Sequence, residues 1–453
     1  MKTINRWMIL ASSALVYGLA LIMSPSLWWG SFICFVPLFY LGARENLTFK
    51  DGFFYSALLW ALGGAGILQT LFLLGIGPVW ARVIPSIAIL IIQGFFGGVW
   101  FYLTSTFLRR AQIISPYARL GVWILTTGFY FYWVIHLSLS MFNYWEGYFL
   151  LYPLLPLAEQ PALLSWMPVL GKGILMWFLL LTNAAFTIPL LTKSTLLRCI
   201  CPLIGMLPWV LQCISAKPPQ TPPQWLHKVA TLQKKFLPVP QPMASIEAIK
   251  NDIRSLIAKY PDLELVILPE SSLFKLNLDT ARELATYWDT ESLGKPIQIL
   301  VGAFKWEDDQ YRNTVYWISD GQIKGSFNKR HTMAVTESIS WYNVSFIRTL
   351  FHGVGPIVQP STNPRVPFAV LPGLALVPYV CSELFFSDSP DDQYPDAVIA
   401  ELSNDFWAKS AYIRHLMYLA ARFKAIEWQR PILYVSYYYK GYLDTDGTIT
   451  KLQ

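Results

Sequence analysis

Charged residues are scarce in this 453-residue chain. Asp, Glu, Lys and Arg make up 14% of it, whereas hydrophobic residues make up 54%. Soluble chains are usually about one quarter charged, so this shortage excludes an ordinary soluble protein and indicates contact with lipid. Nearly all charge-free runs lie before about residue 215. We therefore expect a membrane half followed by a soluble half.

Cysteine is also sparse, with five residues at Cys34, Cys199, Cys201, Cys213 and Cys381. Only the last lies in the soluble half, which therefore cannot form an internal disulfide. No cysteine pair has the spacing of zinc ligands with a histidine nearby, so we expect neither a metal nor a cofactor. The net charge of +7 comes without a basic cluster interleaved with aromatics. We expect the lipid bilayer, and no nucleic acid, as a partner.

Seven apolar segments have about the 20-residue length that crosses a bilayer. The first resembles a signal peptide but has no clear small-residue cleavage site, so we interpret it as a transmembrane helix. The fourth contains Gly94, Gly97 and Gly98, which predict close helix packing or a bend. The segments are 6–23, 27–43, 53–76, 83–108, 118–140, 170–192 and 196–214.

Positive residues between these segments predict the orientation. Lys2 and Arg6 precede the first segment, and most later Lys and Arg residues fall in loops on the same side of the membrane. Because cytoplasmic loops carry the excess of Lys and Arg, the N-terminus is expected in the cytoplasm. Seven crossings then place the residues after 214 outside the cytoplasm.

The chain is predicted to have three parts. Residues 1–215 form a membrane domain, residues 216–226 form a proline-rich linker, and residues 227–453 form the soluble domain. Short apolar runs in the last part alternate with amphipathic stretches such as 245–260, and a longer helical stretch covers 408–428. Buried strands alternating with helices predict an α/β sandwich.

Three residues of the soluble domain lie where predicted strands end. Glu270 ends the strand LELVILPE, Lys329 follows a strand and turn, and Cys381 ends ALVPYVC. Singly they are typical of a solvated turn, an exposed charged face and a small core side chain. Loops held by a rigid sheet are nevertheless common catalytic positions.

Together the three residues resemble the nitrilase superfamily. The matching motifs are Leu-Pro-Glu270, Phe-Asn-Lys329 and Cys381-Ser-Glu383. The resemblance implies an αββα sandwich with a Glu-Lys-Cys triad. Cysteine would be the nucleophile that forms a thioester, glutamate the base that takes its proton, and lysine the positive charge facing the oxyanion.

The membrane half narrows this resemblance to the apolipoprotein N-acyltransferases of bacteria. Glu337 falls where that family has another essential glutamate, and LSNDFW, residues 402–407, resembles its Ser-Asn-Asp-x-Trp segment. The resemblance implies transfer of an acyl chain from a phospholipid donor, through the cysteine thioester, to the N-terminal amine of a lipoprotein. It also implies a multi-pass protein of the bacterial inner membrane with its catalytic domain on the periplasmic side. The implied supporting residues are Glu337, Glu383, Ser382, Asn404 and Trp407.

Several positions depart from the acyltransferase pattern. Ser382 stands where the family has tyrosine, and Ala-Val-Thr precedes Glu337 where it has Pro-Phe-Gly. Tyr437, Tyr438 and Tyr439 replace its Asn-Asn-Gly. Two alternatives therefore stay open. One is a TraB-type conjugal-transfer relative, or another membrane-anchored amidase or acyltransferase with a different acceptor. The other is a non-catalytic module of a membrane assembly that retains the triad by descent.

Overall fold

The structure is a computed structural model that forms two compact units. The helical unit comprises Met1–Pro218 and Ala408–Glu427, and the sheet unit comprises Pro219–Trp407 and Trp428–Gln453. The residues described are 3–66, 68–69, 79–131, 151–218, 220–233, 242–276, 278–307, 310–332, 358, 360–385, 394–406 and 408–453.

The first part of the helical unit is built from helices rich in apolar residues. Among the described residues, five helical segments are long and apolar enough to cross a membrane: Ile4–Ile22, Ser24–Arg44, Ser86–Arg110, Met167–Leu191 and Thr195–Ser215. The helices are α1 Thr3–Ile22, α2 Ser24–Leu27, α3 Val36–Arg44, α4 Phe49–Gly63, α5 Val79–Arg110, α6 Pro116–Phe129, α7 Met167–Leu191 and α8 Thr195–Ser215.

The predicted segments 53–76 and 118–140 begin in α4 and α6 and continue outside the described residues. The total of seven crossings therefore stays a prediction. The predicted segment 27–43 is not one continuous helix, because a 3₁₀ turn, Trp28–Phe32, separates α2 from α3. Proline lies in the first turn of α3, where its missing N–H removes no helical hydrogen bond.

Close packing, rather than a bend, accounts for the glycine group of α5. The helix is continuous from Val79 to Arg110. A Cβ at Gly97 would overlap both the Ser56 side chain and the Gly52 carbonyl oxygen of α4. Small residues at this crossing therefore let the two backbones approach closely, as expected for helices packed in a membrane.

The sheet unit contains two mixed sheets. The strands are β1 Val229–Thr231, β2 Leu265–Leu276, β3 Gln298–Glu307, β4 Gln310–Ser319, β5 Gln322–Asn328, β6 Phe368–Leu371, β7 Leu374–Val380, β8 Val398–Leu402, β9 Ile432–Val435, β10 Lys440–Leu443 and β11 Ile449–Thr450. The five-stranded sheet has the order β1-β2-β3-β4-β5, and the six-stranded sheet has the order β11-β10-β9-β8-β7-β6. Three neighbouring strands are parallel in each, β1 to β3 and β7 to β9, and the other pairs are antiparallel.

Helices cover one face of the five-stranded sheet, and the second sheet covers the other. Helices α9 Pro242–Lys259 and α10 Leu278–Thr286 contact β2, followed by a short α11, Thr290–Leu293. Strand β2 also contacts β8 and β9, while β4 contacts β7. Ile253 and Val266 belong to the buried core that joins helices and sheet. The prediction of a membrane-type helical part followed by an αββα sandwich is confirmed.

The last helix, α12 Ala411–Trp428, belongs to the helical unit as far as Glu427. His415 Nε2 lies 2.5 Å from Glu159 Oε1, and Lys172 Nζ lies 3.2 Å from Glu427 Oε1. The Tyr412 hydroxyl donates a hydrogen bond to the Gly63 carbonyl at 3.2 Å. Polar contacts therefore bind this helix to segments that lie more than 200 residues earlier in the chain.

Candidate active site

Glu270 lies within a strand, at an irregularity, and not at the strand end that the sequence suggests. Strand β2 continues to Leu276, but its pairing with β3 shifts register between Leu268 and Leu273. Ser271 has a positive φ of 60° within this interval. Such a bulge redirects a side chain from the regular pleat. The polar Glu-Ser-Ser run interrupts the apolar pattern, so the sequence predicts a turn there. In the structure this interruption is the bulge within β2.

Gly302 of β3 makes room for this bulge. A Cβ built at Gly302 would lie 2.5 Å from the Glu270 Cα and 2.7 Å from the Pro269 carbonyl oxygen. No side chain fits at those distances, so glycine is required by the close approach of the two backbones.

The carboxylate of Glu270 is buried and surrounded by donors. Asn313 Nδ2 donates to its Oε1, and the Asn404 backbone N–H donates to its Oε2 at 2.7 Å. Lys329 Nζ lies 3.7 Å from Oε1. The Tyr437 hydroxyl donates to the Glu270 carbonyl oxygen at 3.0 Å, which fixes the backbone as well. Donors and a positive charge of this kind stabilise an ionised carboxylate.

Lys329 follows directly on β5, and its side chain has no exposed surface. Its backbone N–H donates to the Asn313 carbonyl at 2.8 Å, and its carbonyl accepts from the Ser361 N–H at 2.9 Å. An ammonium group buried this deeply needs a counter-charge. The Glu270 carboxylate supplies one.

Cys381 lies at the sharp turn after β7. The strand ends at Val380, and Cys381 begins a 3₁₀ turn, Cys381–Phe385, in which every residue is buried. Its φ is +51°. A non-glycine residue in this region is uncommon and costs about 1–3 kcal/mol, which the surrounding structure must offset.

Glu383 connects the Cys381 turn to the segment after Lys329. Its Oε2 accepts from the Val380 N–H at 2.9 Å, and its Oε1 accepts from the Arg330 N–H at 2.7 Å and the His331 N–H at 3.3 Å. A guanidinium nitrogen of Arg365 lies 2.9 Å from Oε1. One buried carboxylate thus holds the Cys381 turn beside the segment that follows Lys329.

Besides Glu383, two predicted supporting residues contact these elements, and the remaining two cannot be placed. Ser382 Oγ donates to the His331 carbonyl at 3.4 Å, and Asn404 binds Glu270 through its backbone rather than its side chain. Glu337 and Trp407 lie outside the described residues. The structure therefore brings Glu270 and Lys329 into one ion pair and ties the Cys381 turn to the adjoining segment.

A second buried carboxyl group lies on β8. Glu401 has no exposed surface, and Ser403 Oγ donates to its Oε1 at 2.7 Å. Burial raises the pKa of Glu401 well above its usual value, and the negative charges of Glu383 and Glu270 add to this effect. Burial at this position therefore favours the neutral, protonated form of the carboxyl group.

The sequence reasoning missed Arg365, Glu401 and Asn313. Arg365 lies 3.8 Å from the ring centre of Tyr379, so its flat guanidinium is packed as well as paired. In the sequence, Asn313 directly precedes the mostly apolar run TVYWI. An amide at the start of a predicted buried strand is the signal that could have identified it, and the structure shows that it is fully buried. Arg365 and Glu401 have no distinctive neighbours in the sequence.

No metal site is formed among the described residues, where no group of three or more His, Cys, Asp or Glu side chains could hold an ion. The acid–base groups of this site are the Glu270 carboxylate and the Lys329 ammonium, with the thiol of Cys381 at the adjoining turn.

Comparison with known proteins gives structural neighbours only. No family model matches the sequence, and no curated protein matches it. Nit3 of Saccharomyces cerevisiae, a member of branch 10 of the nitrilase superfamily, is 15% identical with a TM-score of 0.34, over 49% of this chain and 83% of its own. A carbon-nitrogen hydrolase from Helicobacter pylori is 14% identical with a TM-score of 0.34, over 49% and 85%. A glutamine-dependent NAD⁺ synthetase from Acinetobacter baumannii is 17% identical with a TM-score of 0.33, over 49% and 42%. The structural neighbours are thus nitrilase-superfamily proteins at low identity, and each likeness covers about half of this chain.

Proposed function

We propose that this protein is a membrane-anchored acyltransferase that moves an acyl chain from a phospholipid, through a thioester on Cys381, to the N-terminal amine of a lipoprotein. The observation that carries the proposal is the buried pair of Glu270 and Lys329, 3.7 Å apart, next to a segment that Glu383 ties to the strained Cys381 turn. Base, cation and nucleophile are the three groups that thioester chemistry needs.

The first half-reaction would load the enzyme. Glu270 takes the proton of the Cys381 thiol, and the sulfur attacks the carbonyl carbon of the phospholipid ester. The negative charge that develops on the carbonyl oxygen faces the Lys329 ammonium. The ester C–O bond then breaks, and the departing oxygen takes the proton back from Glu270. The products are a thioester and a lysophospholipid.

The second half-reaction would transfer the acyl group from the Cys381 thioester to the acceptor. The free amine of the acceptor attacks the thioester carbonyl carbon and gives one proton to Glu270. The C–S bond then breaks, and the proton returns from Glu270 to the sulfur of Cys381. An amide is released and the thiol is restored, so both steps use the same three groups in ping-pong order.

The helical unit supports lipid-anchored substrates. Its five candidate spans would attach the protein to a membrane, and a phospholipid and a lipoprotein are both anchored in a bilayer. The distribution of Lys and Arg between the apolar segments supports a sheet unit on the periplasmic side of a bacterial inner membrane. This placement is part of the proposal.

A second candidate keeps the thioester and changes the acceptor. Ser382 and the Tyr437 segment depart from the acyltransferase pattern close to the site, and the Tyr437 hydroxyl binds the Glu270 carbonyl. A TraB-type relative, or another amidase or acyltransferase, would use water or a different amine in the second half-reaction. The departures concern the acceptor, whereas the residues of the first half-reaction are present.

Acyl labelling tests the first half-reaction. The full-length protein in detergent is incubated with a phospholipid carrying a radiolabelled acyl chain, and the hydroxylamine-sensitive adduct is measured. We expect an adduct in the wild type and in Cys199→Ala, which removes an exposed cysteine of α8, and none in Cys381→Ala. Equal labelling of wild type and Cys381→Ala would refute the proposed nucleophile, and no adduct in the wild type would favour a non-catalytic module.

Complementation tests the acceptor. We expect the wild-type chain, but not Cys381→Ala, to sustain growth of a bacterial strain depleted of its own apolipoprotein N-acyltransferase. A wild type that labels normally but fails to restore growth would exclude the lipoprotein acceptor and favour the second candidate.

A further inference from the structure

Asn313 contacts both members of the buried ion pair. It is fully buried on β4, where it pairs with Phe304 of β3. Its side-chain Nδ2 donates a hydrogen bond to Glu270 Oε1, and its backbone carbonyl oxygen accepts one from the Lys329 backbone N–H at 2.8 Å. Because an ionised carboxylate can only accept hydrogen bonds, the amide must present its NH₂ group to Glu270. One residue thus sets both the carboxylate orientation and the start of the lysine segment.

The two oxygens of Glu270 have donors from different parts of the sheet unit. Asn313 and the Lys329 ammonium face Oε1, and the Asn404 backbone N–H faces Oε2. Donors on both oxygens favour the ionised form of this buried carboxylate, whereas a charge on the nearby Glu401 of β8 would oppose it. The Tyr437 hydroxyl, which bonds the Glu270 carbonyl oxygen, is a further titratable group beside it. A base must be ionised before it can take the thiol proton. Of these donors, the Asn313 amide is the neutral side chain, so it can be replaced without changing the net charge of the ion pair.

We propose that Asn313 is a positioning residue that keeps Glu270 ionised and aligned with Lys329, and so sets the pH range in which Cys381 is activated. The inference rests on the proposed function only in taking Glu270 as the base for Cys381. A purely structural asparagine would affect stability, whereas a positioning asparagine also moves the pH dependence of thiol reactivity.

The test replaces the amide by a carboxyl group of the same shape. Asn313→Asp puts two carboxyl groups at hydrogen-bond distance, and such a pair retains one proton to higher pH. At low pH the new carboxyl is protonated and donates to Glu270 as the amide does, so the variant retains the fold. Gln298→Glu is the matched control, because Gln298 is an amide of the same sheet that bonds Trp317 and Ser319.

The readout needs no acyl substrate. The rate of alkylation of Cys381 by iodoacetamide is measured by peptide mass spectrometry across pH in the full-length protein, with the unfolding temperature recorded at each pH. We expect the midpoint of the rate profile to rise by about one pH unit or more in Asn313→Asp and to stay unchanged in Gln298→Glu.

The outcomes separate this inference from the proposed function. An unshifted midpoint in folded Asn313→Asp would overturn it, and so would an equal shift in Gln298→Glu, which would indicate a general effect of added charge. A shift confined to Asn313→Asp supports the positioning role. If that shift occurs while the wild type forms no acyl adduct, the role of Asn313 stands and the acyltransferase proposal falls.

Discussion

Neutralising Glu383 should destabilise the sheet unit strongly, because this carboxylate has four partners. It accepts hydrogen bonds from three backbone N–H groups and forms an ion pair with Arg365. The side chains of Glu383 and Arg365 are both at most 3% exposed. Removing one partner of a buried ion pair usually costs about 3–5 kcal/mol. Glu383→Gln keeps one acceptor oxygen but turns an NH₂ group toward backbone donors, so we expect the free energy of unfolding to fall by about 3 kcal/mol. For a unit of this size, that lowers Tm by about 6–12 °C.

The assay is the tryptophan fluorescence of the full-length protein in detergent during heating. Glu264→Gln is the matched control, because Glu264 pairs with Lys228 at 2.8 Å at the surface, with both side chains more than one third exposed. An exposed pair contributes about 0–1 kcal/mol, so the control should shift Tm little.

A double-mutant cycle isolates the ion pair. Arg365→Met removes the charge and retains an unbranched chain between the rings of Tyr379 and Phe327. We expect the double variant with Glu383→Gln to lose less stability than the sum of the single variants, by about 0.5–3 kcal/mol. Additive losses, or a Glu383→Gln shift no larger than that of Glu264→Gln, would refute the reasoning.

Two further predictions concern the neighbours of Glu270. Gly302→Ala should push β3 away from the Glu270 bulge, lower the free energy of unfolding by about 1–3 kcal/mol and reduce acyl labelling at least tenfold. Gly121→Ala is the control and should do neither, because the space around its Cβ is open. Full labelling of Gly302→Ala would contradict the bulge argument. Burial raises the pKa of Glu401 well above the usual glutamate value of about 4.5, so the unfolded chain releases a proton that the folded chain retains. Wild-type stability therefore falls as pH rises above about 4.5, by up to about 1.4 kcal/mol per pH unit. Glu401→Gln should lack this slope in Tm measured from pH 5 to 8, and parallel curves for the two proteins would contradict a neutral Glu401.

The sequence predicts the layers well because hydrophobic periodicity depends on burial. The expected helix 245–260 is observed as Pro242–Lys259, and the expected strand VATLQ as Val229–Thr231. The triad candidates were identifiable only because their flanking motifs resemble those of the nitrilase superfamily. The bulge at Glu270 was not, because register shifts depend on the neighbouring strand and on the space that Gly302 leaves open.

The partners of the site were harder to predict than its candidate catalytic residues. Arg365, Glu401 and Asn313 reach Glu383 or Glu270 from other strands or loops, over separations that no local pattern reports. Helix α12 shows the same limit. Its pattern fits an α/β domain, but its His415 and Glu427 contacts group it with the helical unit.

At position 381, the backbone conformation favours one residue type and the proposed reaction requires another, because Cys381 has a positive φ. Glycine adopts this conformation without the penalty that a side chain incurs. Backbone preference alone would therefore favour glycine at position 381, whereas the buried cysteine side chain adds packing that glycine would lose. A stability measurement on Cys381→Gly would combine these two opposed effects, so it would say little about the proposed role of the sulfur.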